Sequence, residues 1–362
     1  MIKTPLDIYA ARLKGIRRSI KKKALKNFLV TDINNVHYLT GFSGSSGFLL
    51  ITEKENFFVT DFRYKEQSEK EVKGWDVVIE MGNRIKIIRD LSKKNGIGQL
   101  GFESSVSYEF FEKISCIGLT MIASKGLVER LREIKDSTEI ESIKKAAERA
   151  EAAFLEVKPY VREGTSEISI AMRLEERLRR KGCLNIPFEI IVASGPNSAM
   201  PHARPTGKKL NNGDLVIIDW GGEADGYYSD MTRTFLLKGG GDSGRKGGIY
   251  QTVLDANQRG ISSVSPGASS KKIDGAARDL IRKAGYGEFF GHGTGHGVGI
   301  QVHEAPRISW NQKQVVKENM VFTIEPGIYV PGVGGVRIED MVLVQEKGPL
   351  VLTSLNKALE IV

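Results

Sequence analysis

Three apolar runs in the later part of this chain each deliver a carboxylate. Leu215-Val-Ile-Ile218 ends in Asp219, and Met320-Val-Phe-Thr-Ile324 ends in Glu325 just before Pro326 and Gly327. In the third, Val336, Ile338, Val342 and Val344 fall on one face of an extended chain, so Arg337 and Glu339 share the other. Short apolar runs bounded by turn residues read as buried strands. A carboxylate at the end of such a strand needs a partner. After Asp219, Gly221 to Gly226 can turn the chain and Tyr227-Tyr-Ser-Asp230 returns it, which sets Asp219 and Asp230 on adjacent strands. Two close carboxylates repel unless they share a proton or a cation. Taken alone, that pair reads as one turn acid and one exposed acid. Arg337, two residues before Glu339, can hold the glutamate ionised and oriented, with a surface ion pair as the alternative.

The histidines sharpen the picture. His37 stands alone early in the chain, while His202, His292, His296 and His303 follow the first apolar run or closely precede it. The segment from Gly291 to Glu304 interleaves His292 and His296 with glycines, which exclude a helix and therefore a helical HExxH zinc site. Strand alternation puts His296 and Val298 on one face and His303 on the other, unless a loop intervenes. Four carboxylates with one imidazole suit Mn²⁺, Fe²⁺ or Co²⁺, with Zn²⁺ as a further candidate. Two such ions sit ~3.5–4 Å apart in carboxylate-bridged sites and activate one water.

Composition enters mainly as an exclusion. A length of 362 residues predicts two domains. The net charge of +9 is local: residues 1–30 hold nine Lys/Arg against Asp7 alone, and the rest is nearly neutral. That argues against a nucleic-acid partner. No apolar run nears the ~18 residues of a membrane span. Only Phe28-Leu29-Val30 follows the lysines before Thr31 and Asp32, so no export signal is read. The widely spaced Cys116 and Cys183 fit a reducing cytoplasm.

Thr4, Pro5 and Asp7 predict a capped helix whose Leu6, Tyr9, Leu13, Ile16 and Ile20 form an apolar face and whose Lys/Arg form a solvated back. Residues 28–130 alternate strand-like and helical stretches, an α/β pattern. Gly41 to Gly47 precedes a strand and lacks Gly-Lys-Ser/Thr, so it reads as a turn rather than a phosphate loop. A charged helix is expected from Glu129 to Glu151, with the domain boundary near residue 128. The later part holds a degenerate repeat at a constant offset of 103. Gly164-Thr-Ser166 to Gly182 matches Gly267-Ala-Ser269 to Gly285. Gly239 to Gly248 is expected to form a flexible loop, and Trp220 to narrow a pocket beside Asp219.

Asp219 to Asp230, His296 to His303-Glu304, Glu325-Pro-Gly and Arg337-Ile-Glu339 together resemble the signature of the pita-bread metallopeptidases. That group includes methionine aminopeptidase, proline dipeptidase (prolidase) and Xaa-Pro aminopeptidase. Asn35-Val-His-Tyr38-Leu-Thr-Gly41-Phe and Thr60-Asp61-Phe-Arg63-Tyr64 resemble the creatinase-type N-terminal domain of the proline-specific members. The resemblance implies an α+β pita-bread catalytic domain with pseudo-twofold αβ halves over 129–362. A smaller α/β creatinase-like domain over 1–128 would precede it. It implies two divalent ions, Mn²⁺ first, with Co²⁺, Fe²⁺ or Zn²⁺ as alternatives, on Asp219, Asp230, His296, Glu325 and Glu339. Glu325 doubles as the proton shuttle, His202, His292 and His303 contact substrate, and Arg337 supports the metal acids. Hydrolysis of Xaa-Pro peptides by a homodimer follows as an expectation, as an aminopeptidase first and a prolidase second. Methionine aminopeptidase does without the extra N-terminal domain. A non-catalytic scaffold would have little reason to keep all five ligands.

Overall fold

The computed structural model describes residues 4–240 and 242–362. They divide between Arg132 and Glu133 into two compact units.

In the first unit, Thr4 and Asp7 form the expected capping box at the start of the helix Pro5–Lys22. Ile16 and Ile20 on that helix are buried, whereas Leu6 is exposed, so the apolar face is narrower than its spacing predicts. The basic back is also less solvated than expected. The Arg17 guanidinium donates to the carbonyls of Thr52 and Glu53 and to Asn56, and Arg12 donates to the Tyr38 carbonyl while stacking on its ring. Long basic side chains often lay their stems on the body in this way.

Six strands follow: β1 (Phe28–Val30), β2 (Phe48–Ile51), β3 (Asn56–Asp61), β4 (Asp76–Glu80), β5 (Gln99–Glu103) and β6 (Thr120–Ser124). They form one mixed sheet in the order β4-β3-β2-β1-β5-β6. The helix Ile33–Thr40 ends on Gly41 at φ 78°, a left-handed cap, so the glycine-serine stretch is a turn into β2. The charged stretch after residue 128 is not one helix. Glu129–Arg132 closes the first unit, and a new helix, Ser137–Val157, opens in the second with its own capping box on Asp136 and Glu139.

The second unit holds the repeat. Helices Glu167–Arg180 and Ser270–Lys283 are both 14 residues long and stand 103 positions apart. Ser166 and Ser269 cap them, and Gly164 and Gly267 take positive φ just before. Each packs on a longer helix, Ser137–Val157 or Ser243–Ser262. The latter takes over residues 243–248 of the expected glycine loop. Ile249, Tyr250, Val253, Ala256, Asn257, Gly260 and Ile261 bury one face, and that stripe overrides the local glycine content.

The strands are β7 (Ile191–Ser194), β8 (Leu215–Trp220), β9 (Glu223–Ala224), β10 (Tyr227–Tyr228), β11 (Met231–Leu236), β12 (Gly295–Gly297), β13 (Glu304–Ile308), β14 (Val321–Ile324), β15 (Gly327–Val330), β16 (Gly334–Arg337), β17 (Asp340–Gln345), β18 (Gly348–Val351) and β19 (Glu360–Ile361). One half presents the sheet β19-β11-β8-β7 and the other β13-β12-β14-β17-β18, with β15-β16 and β9-β10 as short ribbons. Phe322, Ile324, Val342 and Val344 pack with Ile261 and Ile273 beneath the second sheet. Among the described residues no helix is long and apolar enough to cross a membrane.

Candidate metal centre

Register places the acids. β8 and β11 form the expected antiparallel hairpin, with Asp219 opposite Thr232 and Asp230 just before β11. Thr232 also makes a β-bridge with Glu339, so Asp219, Thr232 and Glu339 lie in a row across three strands. β14 and β17 pair as far as Ile324 opposite Asp340. Glu325 and Glu339 stand just past the end of that ladder. His296 is the middle residue of β12. A Cβ on Gly295 would lie 1.8 Å from the Thr323 carbonyl oxygen, and one on Gly297 2.2 Å from that of Ala305. Both glycines are needed for His296 to come this close to its neighbours.

Three overlapping groups bring one ligand atom per residue within 4.8 Å: Asp219 with Asp230 and Glu339, His296 with Glu325 and Glu339, and Asp230 with His296 and His303. His303 does not face away from His296. Their rings meet edge to face at 4.1 Å, because the chain reverses between β12 and β13 instead of continuing as a regular strand. His202 is exposed on its loop, close enough to contribute to the depression of both His292 and His303.

Burial depresses His292, His296 and His303. Burial, then the field of His303, lowers His296 to about 3. Its Nδ1 lies 3.2 Å from the Gly297 carbonyl, which can only accept, so Nδ1 carries the hydrogen. That leaves the Nε2 lone pair facing Glu325 at 3.4 Å and Asp230 at 3.6 Å, the orientation of a metal-binding histidine. Burial, then Arg337, lowers His292 to about 4. His292 donates from Nδ1 to the Gly293 carbonyl, and its Nε2 accepts from the Tyr329 hydroxyl at 2.9 Å.

Arg337 reaches a different acid from the one its sequence neighbour suggests. Its Nη2 donates to Asp219 Oδ2 at 2.7 Å, Nε to Thr232, and Nη1 to Tyr329 and the Pro201 carbonyl. Glu339 is held instead by the Thr232 hydroxyl at 2.7 Å. Trp220 also departs from expectation. It is fully buried, stacks on Phe154 at 4.4 Å and donates to the Ala150 carbonyl, so it narrows nothing. Alternation along β8 sends its ring to the opposite face from Asp219.

Three buried acids, Asp219, Asp230 and Glu339, and the half-buried Glu325 thus face one cation. Burial, then Glu339 and Asp219, raises Asp230 well above the usual carboxylate range. Glu339 is raised likewise by burial, then by Glu325 and Asp219. Burial lifts Glu325 to about 7. Asp219 Oδ1 and Asp230 Oδ1 are buried with no hydrogen-bond partner among the described residues. Orphaned carboxylate oxygens beside a neutral imidazole fit a divalent cation. Uptake of a divalent ion there would have to displace the protons these acids hold. The apparent Mn²⁺ affinity is therefore expected to rise by about tenfold or more between pH 6 and pH 8. Calorimetry in buffers of different ionisation enthalpy should show more protons released at pH 6. Equal release at both values would contradict the raised carboxylates.

Tyr329, Thr232 and Thr323, whose hydroxyl donates to Glu325 at 3.3 Å and accepts from the His296 N–H, carry roles that the sequence does not announce. Thr232 was recoverable, since the Asp219–Asp230 turn sets it opposite Asp219. Tyr329 carried no signal beyond alternation, although a Cβ on Gly327 would lie 2.4 Å from its hydroxyl.

The profile described as Metallopeptidase family M24 matches residues 141–346, and that of the Creatinase/Prolidase N-terminal domain matches 12–134. The chain belongs to metallopeptidase family M24. Its second unit has the pita-bread fold, and its first is the creatinase-type domain. An Xaa-Pro dipeptidase structure from Bacillus anthracis is 38% identical, with a TM-score of 0.94 over 98% of this chain and 100% of that one. The X-Pro aminopeptidase of Thermotoga maritima is 35% identical, with a TM-score of 0.87 over 97% and 99%. The Xaa-Pro dipeptidase of Pyrococcus horikoshii is 36% identical over 98% of this chain and all of that one. In this M24 member, the five side chains expected as ligands fall within the overlapping groups that could hold a metal ion, and His303 joins one of them.

Proposed function

We propose that this M24 peptidase hydrolyses the Xaa-Pro peptide bond with two divalent metal ions, Mn²⁺ first, held by Asp219, Asp230, His296, Glu325 and Glu339. The observation that carries the reading is the pair of ligand groups, Asp219-Asp230-Glu339 and His296-Glu325-Glu339, which share only Glu339. Charge supports two ions rather than one. Four carboxylates and Arg337 sum to −3 when ionised. One divalent ion leaves −1, while two give +1, which a single anion neutralises.

Bound ions would supply Lewis-acid polarisation of the scissile carbonyl and a water of lowered pKa. The protein's own groups do the rest. Glu325, poised at about 7, exchanges a proton near neutrality. It takes the proton of the attacking water and passes it to the prolyl nitrogen. That transfer matters because a tertiary amide nitrogen leaves poorly unless protonated. The exposed imidazoles of His303 and His202 face substrate, and His303 steadies the carbonyl oxygen as charge develops. His292 braces Tyr329, which with Asp219 fixes Arg337.

Release of the N-terminal residue from longer peptides is the primary reading. The Bacillus anthracis and Pyrococcus horikoshii dipeptidases favour a second, action on Xaa-Pro dipeptides. A homodimer in the cytoplasm is part of the same proposal. The test is a panel of Xaa-Pro and Xaa-Pro-Yaa peptides with added Mn²⁺, Co²⁺ or Zn²⁺, and with chelator. Tripeptide cleavage that needs metal is expected. Marked preference for the dipeptide selects the second reading. Full activity after chelation, or none with any metal, overturns the proposal.

A further inference from the structure

The two glutamates stand at a gap in the pairing of two antiparallel segments. Past the Ile324–Asp340 pair Glu325 faces Glu339, and pairing resumes where Ile338 N–H donates to the Pro326 carbonyl and Gly327 lies opposite Arg337. A further brace lies across that gap. Asn257, on the helix Ser243–Ser262, lies there with no exposed surface. Its Nδ2 donates one hydrogen to the Ile324 carbonyl at 2.9 Å and the other to the Ile338 carbonyl at 3.2 Å. Those carbonyls immediately precede Glu325 and Glu339. One rigid amide thus spans both.

The amide is itself fixed. Asn257 Oδ1 accepts from Lys357 Nζ at 3.1 Å, and the same ammonium donates to Asp340 Oδ2 at 2.8 Å. An acceptor bonded to Lys357 settles which side of the amide is oxygen, so both donors must point at the strands. Asp340 is fully buried and also accepts from Arg233 and Thr353. Arg233 in turn donates to the Glu339 carbonyl at 2.7 Å.

Resting on the dinuclear reading above, we infer that Asn257, oriented by Lys357, is a positioning residue that sets the spacing of Glu325 and Glu339. It touches neither substrate nor ion. It is neutral, so it clamps the two chains without altering the charge balance of the acids. Partners of this kind change metal affinity or activity by about 10–100-fold when removed.

The experiment uses full-length protein with Asn257→Asp and Lys357→Met. Asn257→Asp keeps size and the Lys357 contact but turns both donors into an acceptor facing two carbonyls. Lys357→Met leaves the donors and frees the amide to flip. Mn²⁺ titration by calorimetry, thermal unfolding of metal-free protein, and kcat and KM on an Xaa-Pro-Yaa peptide are read together. Wild type should bind two equivalents. In Asn257→Asp the weaker equivalent should lose at least about tenfold in affinity and kcat about 10–100-fold, with KM within about threefold. Lys357→Met should show the same pattern, smaller in size. It keeps the test open should Asn257→Asp fail to fold. A lower unfolding temperature with wild-type Mn²⁺ affinity and kcat in Lys357→Met or Asn257→Asp overturns the inference alone. Wild-type protein that takes up no Mn²⁺ overturns the dinuclear reading and this inference with it.

Discussion

Replacing Glu339 with glutamine is expected to abolish Xaa-Pro hydrolysis and, at the same time, to stabilise the metal-free protein at alkaline pH. Glu339 is the residue common to both ligand groups, so its loss weakens each. Lewis-acid assistance contributes several kcal/mol to such a reaction, and each ~1.4 kcal/mol is tenfold. A fall of at least about 10³-fold in kcat/KM follows. The effect on stability has the opposite sign. Burial, then Glu325 and Asp219, holds the folded-state pKa of Glu339 well above its unfolded value. A group of that kind contributes stability that is fully present below the unfolded carboxylate pKa and is lost as pH rises through the folded one. Metal-free wild type at pH 8 therefore bears a penalty that glutamine lacks, and the gap closes near pH 5. The Thr232 hydroxyl retains an oxygen to donate to. Thermal unfolding of both metal-free proteins at the two pH values checks this. A glutamine variant less stable than wild type at pH 8 would contradict it.

Arg337→Met is expected to have the largest structural effect. Arg337 is buried, and its guanidinium binds Asp219, Thr232, Tyr329 and the Pro201 carbonyl. Burial works against its charge, but Tyr329 and Asp219 outweigh it and the pKa stays high. Methionine fills much of the space and leaves Asp219 among three other acids without a counter-charge. Removing one member of a buried ion pair costs about 3–5 kcal/mol. At ~2–4 °C per kcal/mol for a unit of this size, the metal-free melting temperature should fall by about 10 °C. Arg337→Lys should recover only part of this, since one ammonium cannot replace a planar fork with four partners. An unchanged melting temperature in Arg337→Met would contradict this.

The elements of both units were legible where pattern and punctuation agreed. Asp219 closing an apolar run, and the glycine turn before Asp230, specify a hairpin because strand register fixes which residues oppose one another. The serine caps and glycine ends marked the two 103-offset helices, which stop at Arg180 and Lys283, just before Gly182 and Gly285. What was hidden is what three dimensions add. Arg337 shares a strand face with Glu339, yet its length lets it cross to Asp219 on another strand. His303 sits seven residues from His296, and only the chain reversal at β13 turns the two rings together. Trp220 follows Asp219 directly, and adjacency in a strand means opposite faces. Asn257 lies in an unremarkable helical stretch. Nothing in its neighbours shows that two carbonyls from distant strands end on its amide.

The two αβ halves divide the candidate ligands between them. Asp219 and Asp230 come from the sheet of one half, and His296, Glu325 and Glu339 from the strands of the other. The centre is therefore a seam, and ions seated in it would work as rivets across that seam. Stripping them would leave the halves tied by Arg337 to Asp219 and Thr232 and by Arg233 to Asp340, so the acids along the seam, rather than the two sheets, would lose their partner.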